Sequence, residues 1–314
     1  MVLQLNSLPC VSVVIPLYNK RRSIERAIHS VLAQNVSAVE VIVVDDGSTD
    51  GSAELVSAIA DARVRLVGQA NAGPGRARNV GASHATSPLL SFLDADDEWK
   101  PGFLAAGLAA LEQHPEAVAY ACSFDAGAYA DRVIDKVSLL TSEPALLPPP
   151  SVDAGHQWMK FALDGLHSSS TIVRRSAFEK AGGYFDRDRC LWGEDSYLWG
   201  QILFMGPVFW DPTRRIHYHI EDSELGFAVT YRSRARPLAE HGYTLMKSVA
   251  AEHRAAFFVL AQRTASDDAD SLVDSGHLFK CFFLRCKYRM VRPWRLINDA
   301  KRYLRYLKNP AIQK

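Results

Sequence analysis

Residues 90–99 read LSFLDADDEW. A short apolar run enters Asp94, Asp96 and Asp97 without a break, and three carboxylates within four positions repel one another. The run belongs to PLLSFL, which reads as a buried strand ending at Asp94, so a positive partner is expected at its carboxyl end. Upstream the pattern recurs. Val11–Ile15 is a β-branched run stopped by Pro16, Val41–Val44 is an apolar strand ending in Asp45 and Asp46, and Val64–Val67 is a third short strand. Helical signals lie between them. Ser23 stands as an N-cap before Ile24, Ala27, Ile28, Val31 and Leu32 on one face. A second helix follows over about 52–60, and the Gly-rich turn NAGPGRARNVGAS (71–83) opens a third.

Strands alternating with helices predict crossover connections and a mostly parallel sheet. Such sheets bind ligands outside the carboxyl ends of their strands, where Tyr18-Asn19, Asp45-Asp46 and the three aspartates all fall. Asp94-x-Asp96 offers hard oxygens suited to Mg2+ or Mn2+, ions that keep few protein ligands and complete their shell with water and phosphate. In the competing reading these aspartates cap a helix that starts after Lys100-Pro101. GPGRARNVG carries neither the GxGxxG of a dinucleotide turn nor the GK[ST] of a P-loop, which excludes both.

The 314 residues suffice for one large α/β domain with an appendage, or for two domains. A composition 48% hydrophobic and 23% charged excludes a disordered or fibrous chain. Five cysteines (Cys10, Cys122, Cys190, Cys281 and Cys286) are scattered without a CxxC, so neither a disulfide framework nor a zinc site is indicated. A reducing compartment fits that usage. No secretory leader and no 18-residue apolar stretch is visible, so a cytoplasmic chain, peripheral on the inner face of the plasma membrane, is expected. The net charge of +1 conceals an asymmetry: residues 277–314 hold eleven Lys/Arg against Asp299, or +10, and the rest sums to −9. Two readings of that tail stand. Phe279, Phe282, Phe283, Tyr288 and Trp294 enter an anionic membrane interface, or the segment is a packing or dimer element with a solvated basic face. No recognised nucleic-acid module accompanies the charge, and no nucleic-acid partner is expected.

Five motifs occur in order: SVVIPLYN (12–19), EVIVVDDGSTDGS (40–52), NAGPGRARNVG (71–81), SFLDADD (91–97) and GGYFDRDRCLWGEDSYLW (182–199). Together they resemble glycosyltransferase family 2, with the GT-A fold, over about residues 11–223. The resemblance implies a Rossmann-like sheet flanked by helices, a nucleotide-diphosphate sugar donor, typically a UDP-sugar, and a divalent cation. It also implies a saccharide or lipid-linked acceptor, in cell-surface polysaccharide or glycolipid synthesis. Pro16 and Tyr18 then line the nucleotide pocket, Asp46 meets the base, and Asn71, Gly73 and Arg78 close over the nucleotide. Asp94 lies near the ribose or donor sugar, Asp96 holds the metal, and His219, two residues after His217, approaches the metal or diphosphate. Asp195 matches the catalytic base and Glu194 a residue that positions it or contacts acceptor hydroxyls; Trp192 is a candidate for stacking on the acceptor sugar.

One base implies an inverting displacement, because a retaining one needs a nucleophile on the other face of the sugar. Each assignment has a plainer rival. Acids favour helix N-termini, a strand histidine is usually structural, and Tyr18 and Trp192 could simply pack. The implied organisation is a GT-A domain over 1–225, with a nucleotide-binding half over about 1–100 and an acceptor half over 101–225. A helical, basic extension follows over 226–314. Two other functions compete. A nucleotidyltransferase should carry a Gly-rich loop after its first strand, and IPLYNKRRS (15–23) has no glycine. A silent sugar-nucleotide-binding module would show donor binding without turnover.

Overall fold

A computed structural model describes residues 10–36, 39–127, 136–222 and 233–308. The chain divides into two compact units, one within residues 1–149 and 160–223, the other within 150–159 and 224–314. The predicted boundary at 225 falls outside the described residues.

The first unit is built on β1, Val11–Leu17. Its Val11, Val13, Val14 and Ile15 are fully buried, the state of a strand covered on both faces. Parallel neighbours flank it: β2 (Val39–Asp45) and, beyond it, β3 (Val64–Gly68) on one side, β4 (Leu89–Phe92) on the other. The crossovers run through α1 (Ile24–Leu32), α2 (Ser52–Ser57) and α3 (Pro74–His84). In α1 the buried Ile24, Ala27, Ile28 and Val31 follow helical spacing, with Ser23 at the N-cap position. Small residues let α3 lie close to the sheet: a Cβ on Gly81 would stand 2.2 Å from Val14 Cγ1.

The chain continues with β5 (Glu98–Trp99), α4 (Phe103–Gln113), β6 (Ala119–Asp125), α5 (Val137–Leu140), β7 (Ala145–Leu147), α6 (Gly155–Gly165, of which residues 155–159 belong to the second unit), β8 (Thr171–Arg174), α7 (Arg175–Ala181), α8 (Glu194–Ile202) and β9 (Val208–His217). The order across the described sheet is β3-β2-β1-β4-β8-β6-β9-β5, with β7 also on β9. The first four strands are parallel, as the alternation predicts. The second half is mixed, because β8 enters antiparallel between β4 and β6, and β5 and β7 run antiparallel to β9. β7 lies inside the Pro-rich stretch 142–151. α4 answers the capping question: Gly102, at φ 89°, is its N-cap and no side chain caps it, so none of the aspartates caps that helix.

The second unit is helical, with α9 (Pro237–Leu245), α10 (Arg254–Asp274), α11 (Leu278–Lys287) and α12 (Pro293–Lys308). Phe257, Leu260, Ala261, Ala265, Ala269 and Leu272 bury one side of α10. Asp268, fully buried, accepts from the Arg236 backbone N–H at 2.7 Å and from its Nε at 2.8 Å. Among the described residues no helix is long and apolar enough to cross a membrane.

Candidate active site

Strand order reverses between β2-β1 and β4, which puts the carboxyl ends of these three strands around one crevice. Pro16 sits in β1 opposite Val44, half-buried, and Tyr18 follows at the rim, 42% exposed. Asn19, with φ 51°, turns the chain. Its backbone N–H donates to Ser48 Oγ at 3.1 Å and its Oδ1 accepts from the Thr49 N–H at 2.8 Å. These bonds tie the loop after β1 to the loop after β2.

Asp46 is buried at the end of β2. Its carboxylate accepts from the backbone N–H groups of Ala72 and Gly73, at 2.7 and 2.8 Å, and from Gln69 Nε2 at 2.7 Å. A carboxylate offers about four acceptor sites, so Asp46 shapes the 69–73 loop and keeps room for one more donor. Beside it, Asn71 Oδ1 is buried without a hydrogen-bond partner. Gly73 holds φ 94° as the N-cap of α3, a conformation that favours glycine.

The positive charge demanded by DADD comes from two directions. Arg78, buried in α3, donates from Nη2 to Asp94 Oδ1 at 2.6 Å and from Nη1 to Glu194 Oε1 at 2.9 Å. Its guanidinium lies 5.0 Å from the centre of the buried Tyr184 ring. Lys20 Nζ stands 2.9 Å from Asp96 Oδ2 and donates to the Asp222 carbonyl at 2.7 Å. Arg26 Nη2 donates to the Asp96 carbonyl at 2.9 Å and to Asp222 Oδ2 at 2.7 Å. Asp97 points inward and accepts from Ser169 Oγ at 2.6 Å, while Ser169 Oγ accepts from the Asp94 N–H at 3.1 Å. Burial, then the Asp94 and Asp96 charges, push the Asp97 carboxyl well above the usual range. Burial and Asp94 raise Asp96 too, against the pull of Lys20.

Glu194 and Asp195 open α8 after Gly193, at φ 76°. Glu194 is buried, and burial followed by the Asp195 charge pushes its carboxyl up to about 7 in spite of Arg78. Asp195 is partly exposed, and its Oδ1 accepts from the Ser196 N–H at 2.6 Å. The two halves of the unit are locked together here. Asn79 of α3 donates from Nδ2 to the Tyr184 carbonyl and accepts at Oδ1 from the Tyr184 N–H, both at 2.9 Å. A Cβ on Gly75 would stand 2.4 Å from the Phe185 carbonyl oxygen and 3.2 Å from Glu194 Cγ. Trp192 lies partly exposed just before α8, after Asp188 and Arg189 at φ 54° and 50°.

Two expected roles meet a different setting. His219, expected at the metal, has Nδ1 3.1 Å from Glu221 Oε1 and Nε2 3.2 Å from Glu98 Oε2, with its ring stacked 4.2 Å from His217. Both ring nitrogens are thereby engaged by glutamates. Arg78, expected to close over the nucleotide, has its guanidinium spent on Asp94 and Glu194. Lys20, Arg26 and Ser169 contact the DADD segment and Tyr184 lies beside Arg78, and the motifs singled out none of them. KRRSIER advertises cations, but no spacing shows which of them reaches Asp96.

Among the described residues no group of three or more His, Cys, Asp and Glu is arranged to hold a metal unaided. The Asp94–Asp96 oxygens nonetheless suit a hard cation that takes its remaining ligands from phosphate and water.

A family profile described as glycosyl transferase family 2 matches residues 12–182. The chain belongs to glycosyl transferase family 2. ExoO of Rhizobium meliloti, a succinoglycan biosynthesis protein, is 46% identical over 98 residues, 31% of this chain and 28% of ExoO. The match thus spans less than a third of that relative. Staphylococcus aureus TarS 1–349, in complex with UDP-GlcNAc, superimposes with a TM-score of 0.66 at 17% identity, covering 95% of this chain and 91% of TarS. The mannosyltransferase PcManGT of Pyrobaculum calidifontis, in complex with GDP-Man and Mn2+, gives 0.57 at 20% identity, covering 95% and 88%. At these identities the likeness speaks for the GT-A fold.

Proposed function

We propose that this family 2 member transfers a sugar, with inversion, from a UDP-sugar to a hydroxyl of a saccharide or lipid-linked acceptor, in surface polysaccharide or glycolipid synthesis. The observation that carries the reading is Arg78. Its guanidinium ties Asp94, at the end of β4, to Glu194, at the start of the helix that bears Asp195. A donor-side acid and a base-bearing helix are thereby held by one buried group.

In this reading the base stacks on Tyr18 and donates to the remaining acceptor site of Asp46. Asn71 Oδ1 gains the donor it lacks, and Asp94 accepts from a ribose or sugar hydroxyl. Asp96 would hold the divalent cation, Mn2+ or Mg2+, whose chemistry is neutralisation of the diphosphate as a leaving group. Asp195 takes the proton from the acceptor hydroxyl as its oxygen forms a bond to the anomeric carbon. The bond to the nucleoside diphosphate breaks on the opposite face. Arg78 and Glu194 fix the distance between the two ends of that displacement, and Trp192 offers a ring to the acceptor sugar. ExoO's part in succinoglycan biosynthesis and the nucleotide sugars bound by TarS and PcManGT support the substrate classes.

Calorimetric titration with UDP, GDP and dTDP, with and without Mn2+, tests the donor side. One nucleotide should bind with Mn2+ dependence in the wild type, and Asp96→Ala should lose that dependence. Asp195→Asn should keep nucleotide binding and lose sugar transfer. Absence of metal-dependent binding of any nucleotide would overturn the reading.

A further inference from the structure

Helix α12 reverses the usual arrangement of a surface helix, which buries its apolar stripe and exposes its charges. Its buried side chain is Asp299. Arg285 of α11, itself buried, donates from Nε and Nη2 to the two Asp299 oxygens at 2.6 and 2.8 Å, and from Nη2 to Asp270 of α10 at 2.6 Å. Arg302 of α12 pairs with Asp270 at 3.1 Å and donates from Nε to Asp274 at 2.7 Å. The polar face of α12 is therefore the one clamped against α10 and α11. Its apolar face looks outward: Ile297 is 56% and Leu304 54% exposed, with Leu296 and Ala300 on the same stripe. α11 adds Phe279 and Phe283, 79% and 68% exposed. Between the helices runs an apolar groove of about 340 Å³, lined by Leu278, Phe279, Phe282, Leu296 and Ala300 above Asp299.

Cations rim this face. Lys301, Arg305 and Lys308 lie along one side of the stripe on α12, and Arg289 and Arg292 occupy the turn before it, all exposed. Within residues 277–308 the one acid is Asp299, already neutralised by Arg285.

We propose that the α11–α12 face docks on an anionic lipid surface, with Phe279, Phe283, Ile297 and Leu304 entering the acyl boundary and the basic rim meeting phosphate headgroups. The apolar stripe and the unbalanced positive rim select this occupant together. A second copy of the chain, meeting the same face, would set like charges against like with no acid to match them. A nucleic acid would use the charge and leave the aliphatic stripe in water. An anionic bilayer takes both. The inference goes beyond the proposed reaction and stands whether or not that reaction holds.

The full chain is floated with vesicles of phosphatidylcholine alone and of phosphatidylcholine mixed with phosphatidylglycerol, at low and high salt. Binding to the mixed vesicles is expected, weakened by salt and weak on phosphatidylcholine alone. Phe283→Ser with Ile297→Ser, and separately Lys301→Glu with Arg305→Glu, should each reduce partitioning about tenfold or more. These side chains are exposed, so melting temperatures should match wild type. Failure to float with either vesicle would overturn the proposal, as would flotation that survives both double variants. A dimer in light scattering that Phe283→Ser with Ile297→Ser dissociates, without flotation, would assign the face to a second copy instead.

Discussion

Arg78 lies beneath the crevice with both ends of its guanidinium committed to carboxylates from opposite halves of the unit. Removing it leaves a buried Glu194 unpaired, and breaking a buried pair costs about 3–5 kcal/mol. Arg78→Ala is therefore expected to lower unfolding free energy by about 3 kcal/mol in urea titration. Arg78→Lys keeps the charge but delivers it as a point, so it serves one carboxylate at a time. It should retain most stability and nucleotide affinity while kcat falls about tenfold or more, with little change in donor KM. Equal losses in stability and in both kinetic parameters would make Arg78 purely structural. The sequence places Arg78 in a Gly-rich turn expected to close over a nucleotide, but its partner Glu194 is 116 positions away, and no periodicity reports such a pairing. His219 illustrates the same limit. Its spacing from His217 gives the face they share, while Glu98 and Glu221 decide what the ring meets.

At the scale of elements, β1, β2, β4 and α1 are legible because continuous apolar runs and one-face helical spacing have few other uses. β7 is illegible because its residues take their strand character from pairing with β9, not from their own composition. The junction of α3 with the start of α8 is invisible for a third reason: it depends on what a glycine leaves out. A Cβ at Gly75 would meet backbone oxygen at 2.4 Å, and backbone cannot swing aside. Gly75→Ala should thus push α8 and Asp195 away from β4, costing about 1–3 kcal/mol and a larger share of activity than of stability. Gly68→Ala in β3 is the control, since its Cβ would meet nothing within 4 Å and surface changes of that kind stay within about 0.5 kcal/mol. Thermal melts and transfer rates on the two variants separate a packing effect from a general intolerance of alanine. If both behave like wild type, α3 does not set the position of α8.

For the molecule as a whole, amphipathic spacing announces a stripe on α12 but not which side faces protein; the Arg285–Asp299 and Arg302–Asp274 pairs decide that. Charge at the crevice has a consequence just as global. Asp96, Asp97 and Glu194 all bind protons more tightly folded than unfolded, chiefly because burial disfavours their ionised forms. Groups with raised folded pKa values stabilise the fold fully below their unfolded values, and lose that contribution as pH rises through the folded ones. Asp61, held at about 2 by Arg63, and Asp125, lowered by Lys100, act the other way, but their contribution is lost only as pH falls below the ordinary carboxylate range. Between about pH 4.5 and 7 the raised groups dominate, so unfolding free energy should fall across that window. Glu194, moving from 4.5 to about 7, supplies up to about 3 kcal/mol of the decline. In Glu194→Gln the slope should flatten even though the Arg78 contact weakens, so wild type loses ground to the variant between pH 5 and 8. Denaturant titrations at both pH values measure this directly. Parallel profiles for the two proteins would mean that Glu194 is already ionised at pH 5, with Arg78 outweighing burial.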